Sequence, residues 1–413
     1  MSSTQNICAT RMYFEFSTCE LTNALLKLEP FVYDRYKDSE EYDGDITSGF
    51  LYPYDDKVTF EITDGIATAF VYACGIKYRM PIKVTTGIRD ASFCIRFCDL
   101  LDEVQRLKYE RLVFEEILFY GFSVYDKASG DKLFKIRAYS TAWQEETSKE
   151  AFTVSITFDK NYLIETLKQH YPYSEDNGAE SYGQNDYIWL YIKDKVCNVL
   201  STNDRFHLFT KSSVNIEGEH LLTIPSGFVR KGINILEGIN DDIIQLNYNK
   251  EFIQFLFGPT EVILKQKRDN NTKFGEVIQR IFSFQGQDTF KVVLLKSSFT
   301  AVLRRAASIY ASSNDCVQLD FMPEQLKVSY KDVDHKCGMT EIISADCNDK
   351  FTIKAFVMGL LAVLNDITSH SVKLLYPKGP FLFIFAENED FESNVLRFVS
   401  LRVIDNEYEK FYI

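Results

Sequence analysis

The sequence has no run of about 20 apolar residues, the length a helix needs to cross a bilayer, so no membrane-spanning helix is expected. Residues 1–12 lack the basic-then-apolar order of a signal peptide, and a cytoplasmic location is the expectation. Proline is sparse, 9 in 413 residues, and low-complexity loops are missing. The chain is too long for one ordinary core, so two or three domains are expected.

The motifs of common catalysis are also missing. There is no glycine-rich phosphate loop, no dinucleotide fingerprint and no serine in a nucleophile elbow. The five histidines, His170, His207, His220, His335 and His370, stand singly and form no metal pair. The nine cysteines are scattered. Cys94 and Cys98, the nearest pair, stand where a strand passes into a helix, but no second pair stands at zinc-finger spacing. The run 38–43, Asp-Ser-Glu-Glu-Tyr-Asp, lacks the spacing of a calcium loop and reads as solvated. No catalytic group, no metal and no cofactor is expected.

What is present is a globular composition with an acidic balance. Hydrophobic residues make up 46% and charged residues 25%, with a formal net charge of −13. An acidic chain repels nucleic acid at long range. Binding DNA would require positive charge gathered on one surface, so its distribution matters more than the total.

One unit recurs three times. In the third part, 290–295 reads as a strand and 296–310 as a helix, with Phe299, Val302, Leu303 and Ala306 on one face. Alternating strands follow at 317–321, 326–330 and 339–344, then a helix at 354–365 and strands at 372–376, 381–386 and 395–403. The middle part has a strand at 152–158, a helix at 160–170, strands at 187–192, 196–201 and 206–210, a helix at 226–236 and strands at 243–248, 252–257 and 261–266. The first part has a strand at 12–16, a helix at 19–28, strands at 58–62 and 68–72, a helix at 97–107 and strands at 112–118, 121–125 and 133–138. The paired helices start 78, 66 and 58 residues apart, from Cys19 to Phe97, Lys160 to Ser226 and Lys296 to Lys354. The acidic loop 34–45 accounts for the longer first interval. Self-similarity of this kind marks a multi-copy architecture.

Local strings then carry a resemblance. Residues 299–307, Phe-Thr-Ala-Val-Leu-Arg-Arg-Ala-Ala, and 341–345, Glu-Ile-Ile-Ser-Ala, resemble the third domain of the bacterial DNA polymerase III beta subunit, the sliding clamp. Pro380-Phe381-Leu382 and 398–403 are similar to that family's closing strands. Ser201-Thr202-Asn203-Asp204 stands where the family has a threonine-aspartate turn, and Ile224-Pro225 precedes a helix with Arg230 and Lys231.

The resemblance implies an α+β fold of three clamp-type domains, each with two helices packed on antiparallel sheets, forming half of a six-domain ring. The expected boundaries are 1–146, 147–286 and 287–403, with a tail at 404–413. It implies a homodimer joined head to tail that encircles double-stranded DNA and tethers a polymerase, with no covalent chemistry. DNA polymerase and clamp-loader subunits would bind through short hydrophobic peptides.

The helices lining such a hole need cations that offset phosphates without reading bases. The candidates are Lys160, Lys168, Arg230, Lys231, Lys296, Arg304 and Arg305. Each is alternatively an ordinary solvated helix face, and their recurrence at equivalent places favours the first reading. The first part departs from this, since Asp99, Asp102 and Glu103 face only Arg106 and Lys108 in its second helix. Carried over from the family, the peptide pocket comprises Thr202, Arg205, His207, Thr272, Val277, Phe356, Pro380, Val399 and Leu401. Asp204, Thr272 and Ser400 replace the family's glycine and two prolines, so the bound peptide is expected to differ. Val277, Val399 and Leu401 could equally be core residues. The tail is either an acidic end or a segment lying across the pocket. An alternative function is a clamp-like protein-interaction module of a mobile element or phage that does not slide on DNA.

Overall fold

The computed structural model describes residues 13–29, 32, 57–63, 66–73, 76–86, 90–117, 121–139, 152–174, 187–203, 205–257, 260–266, 283, 289–309, 316–332, 337–347 and 349–402. The acidic loop 34–45, the boundaries expected at 146 and 286, and the tail 404–413 lie outside the described residues. The chain forms two compact units, Met1–Tyr162 with Lys231–Gln266, and Leu163–Arg230 with Lys267–Ile413.

In the first unit, β1 (Tyr13–Ser17) runs into α1 (Thr18–Leu28). Then come β2 (Lys57–Thr63), β3 (Ile66–Ala73), β4 (Ile76–Thr86) and β5 (Asp90–Arg96), followed by α2 (Phe97–Arg106). The run closes with β6 (Arg111–Ile117), β7 (Gly121–Asp126), β8 (Lys132–Ile136) and β9 (Ala138–Tyr139). Four strands of the next run lie in the same unit: β10 (Val154–Asp159), β15 (Ile243–Tyr248), β16 (Phe252–Phe257) and β17 (Thr260–Lys265). All thirteen join one sheet. Strand alternation buries Val58, Phe60 and Ile62. Phe60 and Phe93 stack at 5.3 Å, and Phe93 meets Phe14 at 5.2 Å and Phe122 at 4.7 Å. Such aromatic pairs each add about 1 kcal/mol beyond burial.

The second unit holds β11 (Tyr187–Lys193), β12 (Val196–Thr202), β13 (Phe206–Ser213) and β14 (His220–Pro225). It continues with β18 (Phe290–Leu295), α5 (Lys296–Ile309), β19 (Cys316–Met322), β20 (Gln325–Asp332), β21 (Cys337–Cys347) and β22 (Phe351–Phe356). After α6 (Val357–Asp366) come β23 (Ser371–Tyr376), β24 (Phe381–Ala386) and β25 (Val395–Arg402). The remaining helices, α3 (Lys160–His170) and α4 (Ser226–Glu237), belong to the middle run. As its spacing predicts, α5 buries Phe299, Val302, Leu303 and Ala306 on one face.

The repeat is explicit in the strand pairing. In the first run β1 pairs β4 and β6, β2 pairs β3 and β5, β6–β7–β8 is continuous, and β9 pairs β5. The third run reproduces every pairing, with β18 against β21 and β23, β19 against β20 and β22, and β25 against β24 and β22. The middle run keeps β10–β15–β16–β17 and β14–β11–β12–β13 as separate ladders. Its β17 pairs β4, and its β13 pairs β25.

Backbone hydrogen bonds repeat as well. The first residue of each first helix, Thr18, Lys160 and Lys296, donates its N–H to Glu110, Asp242 and His370 respectively, at 3.0, 2.8 and 2.9 Å. Just past each second helix, Leu107, Ile239 and Ile367 donate back to Val104, Leu236 and Leu364.

The sequence reading lacks β4 and two of the strands that precede a second helix, β14 and β22, and the helix expected from 354 begins at Val357 instead. The remaining one, β5, runs into α2 as expected around Cys94 and Cys98, and β14 ends on Pro225 directly before α4. Arg96 and Phe356 are the N-caps of α2 and α6 and make no side-chain cap bond. In contrast, α1 has a readable cap, since Ser17 accepts from the Glu20 N–H at 3.4 Å.

Candidate functional site

Most of the expected pocket residues converge where β12, β13, β25 and the start of α6 meet. The β12–β13 turn is built on Asn203, whose side-chain oxygen accepts from the N–H groups of Arg205 (3.2 Å) and Phe206 (3.1 Å). β13 then aligns with β25, placing Phe206 opposite Val399 and His207 opposite Phe398. The end of β25 is pinned twice. Ser400 N–H donates to the Arg205 carbonyl at 2.7 Å, and Leu401 N–H donates to the Pro380 carbonyl at 2.8 Å.

Alternation along the strands divides the expected set between two faces of the sheet. On one face, His207 lies between two hydroxyls, Nδ1 to Thr202 Oγ1 at 2.6 Å and Nε2 to Ser400 Oγ at 2.9 Å. Its ring stacks on Phe398 at 4.6 Å and meets the edge of Phe381 at 5.5 Å. Burial lowers its pKa to about 3, so the imidazole is neutral. On the other face, Val399 is fully buried in the core of the third run, and Leu401 packs half-buried against it. The Arg205 guanidinium lies 5.8 Å from the Phe356 ring. Arg205, Phe356, Pro380, Ser400 and Leu401 are half-exposed, whereas Thr202, His207 and Val399 are interior. Thr272, Val277 and Asp204 lie outside the described residues.

The sequence reading missed Asn203, Phe381 and Phe398 as parts of this arrangement. The order Asn203-Asp204 before a strand is a readable turn signal. The aromatic partners had no such signal, because they come from strands far away in sequence.

The candidate cations divide too. Lys160 Nζ donates to the Ile239 carbonyl at 2.8 Å, and Lys296 Nζ donates to the Ile367 carbonyl. Each caps the C-terminal end of the second helix of its run, where the helix dipole favours a cation. Thr18 holds the equivalent place in the first run. Arg305 forms a two-pronged pair with Glu341, Nε–Oε1 at 2.6 Å and Nη2–Oε2 at 2.5 Å. Lys168 and Arg304 are exposed on α3 and α5. Arg230 and Lys231 lie in α4, with side chains outside the described residues. In α2, Asp102 is exposed and Asp99 stands 3.7 Å from Arg96.

A group of three or more metal-ligating side chains is absent among the described residues, as is a helix long and apolar enough to cross a membrane.

A structure with two helices and antiparallel ladders in each of three runs invites comparison with solved proteins. Residues of the DNA polymerase sliding clamp from Caulobacter crescentus superpose with a TM-score of 0.72 at 12% identity, over 95% of this chain and 100% of that one. The fold is that of the bacterial DNA sliding clamp. The sliding clamp from Bacillus subtilis gives a TM-score of 0.71 at 13% identity, again over 95% and 100% of the two chains. The DNA polymerase III beta subunit from Thermotoga maritima gives 0.70 at 12%, with the same coverage. At the level of sequence, no family model and no curated protein matches this chain. The clamp fold is thus carried on a strongly diverged sequence.

Proposed function

We propose that this chain is a processivity clamp, a non-enzymatic subunit that closes with a second copy around duplex DNA and tethers a DNA polymerase. The observation that carries the proposal is a pairing rule repeated within the chain. The fourth strand of one run pairs the last strand of the following run, as β4 does with β17 and β13 does with β25. The fourth strand of the third run, β21, has no following run. Its residues 337–344 pair β20 on one side and, among the described residues, nothing on the other. The last full strand of the first run, β8, pairs β7 alone among the described residues. Joining β21 of one copy to β8 of another satisfies the rule twice and closes a head-to-tail ring.

Three domains, at 1–146, 147–286 and 287–403, follow from the same repeat. The ring confers processivity by effective concentration, since a tethered polymerase rebinds before it diffuses away. DNA is contacted by Lys168, Arg230, Lys231 and Arg304, and the capping Lys160 and Lys296 add field rather than direct phosphate contacts. Partner peptides dock at the half-exposed Arg205, Phe356, Pro380 and Leu401. The cytoplasm is the compartment for such a role.

Sedimentation velocity tests the assembly. A dimer at micromolar concentration supports it, and a strict monomer contradicts it. A second reading, a clamp-fold interaction module that does not slide, is favoured by the acidic α2 and by the engagement of Arg305 with Glu341. It predicts a dimer or monomer that DNA does not retain.

A further inference from the structure

Each first helix carries an exposed cation in the same stretch. Lys168 lies as far into α3 as Arg304 lies into α5, and Lys27 stands one position farther into α1. All three are exposed. In α5 a second cation follows at once, Arg305, where α3 has Gln169.

Arg305 has a partner placed for it by the sheet. Glu341 lies on β21 opposite Val328, which is fully buried, so strand alternation turns the carboxylate toward the helices. Met339 and Ile343, two positions away on either side, pack against the core of the third run on that same side. A carboxylate among apolar neighbours needs a cation. Arg305 meets it with Nε 2.6 Å from Oε1 and Nη2 2.5 Å from Oε2. That guanidinium holds the Glu341 carboxyl below the usual carboxylate range, so it is ionised at neutral pH.

A phosphate would compete for Arg305, and the competition favours Glu341. The Arg305 side chain is 54% exposed, but that of Glu341 only 32%. Withdrawing the guanidinium strands a carboxylate that water reaches poorly. The phosphate offers in exchange no more than an equivalent charge-assisted contact. Arg305 therefore stays with Glu341 and releases no counterions from bound duplex. With Arg305 neutralised, α5 matches α3, each with one exposed cation at the same depth. Few and similar backbone contacts suit a ring that must move along DNA.

We infer that Glu341 is a positioning residue that limits the grip on DNA: it withholds Arg305 from the phosphates and leaves Arg304 as the contact from α5. The inference rests on the reading of α5 as a helix that faces duplex.

Fluorescence anisotropy of a labelled duplex with the full chain, run across a salt series, tests it. Glu341→Gln keeps the shape of the side chain and removes its charge. The slope of log affinity against log salt should steepen by about 0.9, the value for one added phosphate contact on duplex DNA. Arg305→Ala should leave the slope of the unaltered chain as it is, and should cancel the gain when combined with Glu341→Gln. Arg304→Ala should lower the slope in either background. Loss of folding does not produce a gain in affinity, so the result is readable even where a variant is less stable. An unchanged slope in Glu341→Gln, with Arg304→Ala still lowering it, overturns the restraint and leaves the DNA-facing reading in place. So does a gain that survives Arg305→Ala, or a lower slope from Arg305→Ala alone. A slope that none of the variants moves overturns the restraint and the DNA-facing reading together.

Discussion

His207 and Ser400, 193 positions apart in the chain, are joined by a 2.9 Å hydrogen bond between Nε2 and Oγ. The other ring nitrogen meets Thr202 Oγ1 at 2.6 Å. His170 is held in the same way, between Ser201 Oγ and Thr210 Oγ1, both at 2.8 Å. Successive hydroxyls of β12, Ser201 and Thr202, thus each hold one buried histidine. Burial lowers both pKa values to about 3. A free histidine titrates near 6.5, so the unfolded chain binds protons that the folded chain refuses. Stability is full above about pH 6.5 and is lost as pH falls from there toward 3. At about pH 5 the loss is roughly 2 kcal/mol per histidine. Urea midpoints measured against pH should fall steadily below neutrality, and His170→Gln should remove about half of the dependence. Equal midpoints at about pH 7 and about pH 5 would show that these rings are not neutral and enclosed.

The lysine caps give a prediction about the middle and third runs. Lys296→Met keeps the apolar stem but removes the donor to the Ile367 carbonyl. The expected loss is about 1–2 kcal/mol, a charge-assisted hydrogen bond plus the dipole interaction. Its effect on duplex binding should be smaller than that of Arg304→Ala, because the ammonium group faces a helix end. Thermal melts and duplex anisotropy on the same pair of variants separate the two.

Arg397 on β25 is almost enclosed, with Nε 2.5 Å from Asp366 Oδ2 and Nη1 2.9 Å from Glu389 Oε2. Tyr173 donates to the same Asp366 oxygen at 3.2 Å. Arg397→Met leaves two carboxylates without their cation, and about 3 kcal/mol should be lost. Asp366→Asn with Glu389→Gln in the same chain should recover part of that loss in a double-mutant cycle. Full additivity would mean that the three groups do not act together.

How much of this was legible in the sequence depended on the range of the signal. The α5 face, Phe299, Val302, Leu303 and Ala306, is local periodicity, and it was readable. The alternation in β19 and β20 was readable for the same reason. Strands β4, β14 and β22 were not; β22 enters α6 from Phe356 with no capping side chain, and β14 was missed although Pro225 closes it. The pocket was legible as a list and not as an arrangement. Nothing near His207 in the sequence announces Ser400 or Phe398, and a period of two along β25 puts Val399 and Ser400 on opposite faces. The cations at 160, 296 and 305 were readable as charges. Their partners, two carbonyls and Glu341, come from other elements, so what those charges do was not.

Ile342 is 60% exposed on the open segment of β21. An isoleucine so placed is what a second copy would cover, at about 2 kcal/mol when fully buried. Ile342→Asp should raise the dimer dissociation constant at least about tenfold while leaving the thermal melt of the monomer unchanged. Analytical ultracentrifugation across a concentration series reads both species. An unaltered dimer would place the interface elsewhere.

The central claim, a closed ring on duplex DNA, is tested most directly by topology. The protein is loaded onto nicked circular duplex, isolated with it by gel filtration, and the circle is then cut once. A ring remains with the circle and runs off the linear product at moderate salt. Loss from the circle as fast as from the linear DNA, or equal retention on both, would contradict encirclement.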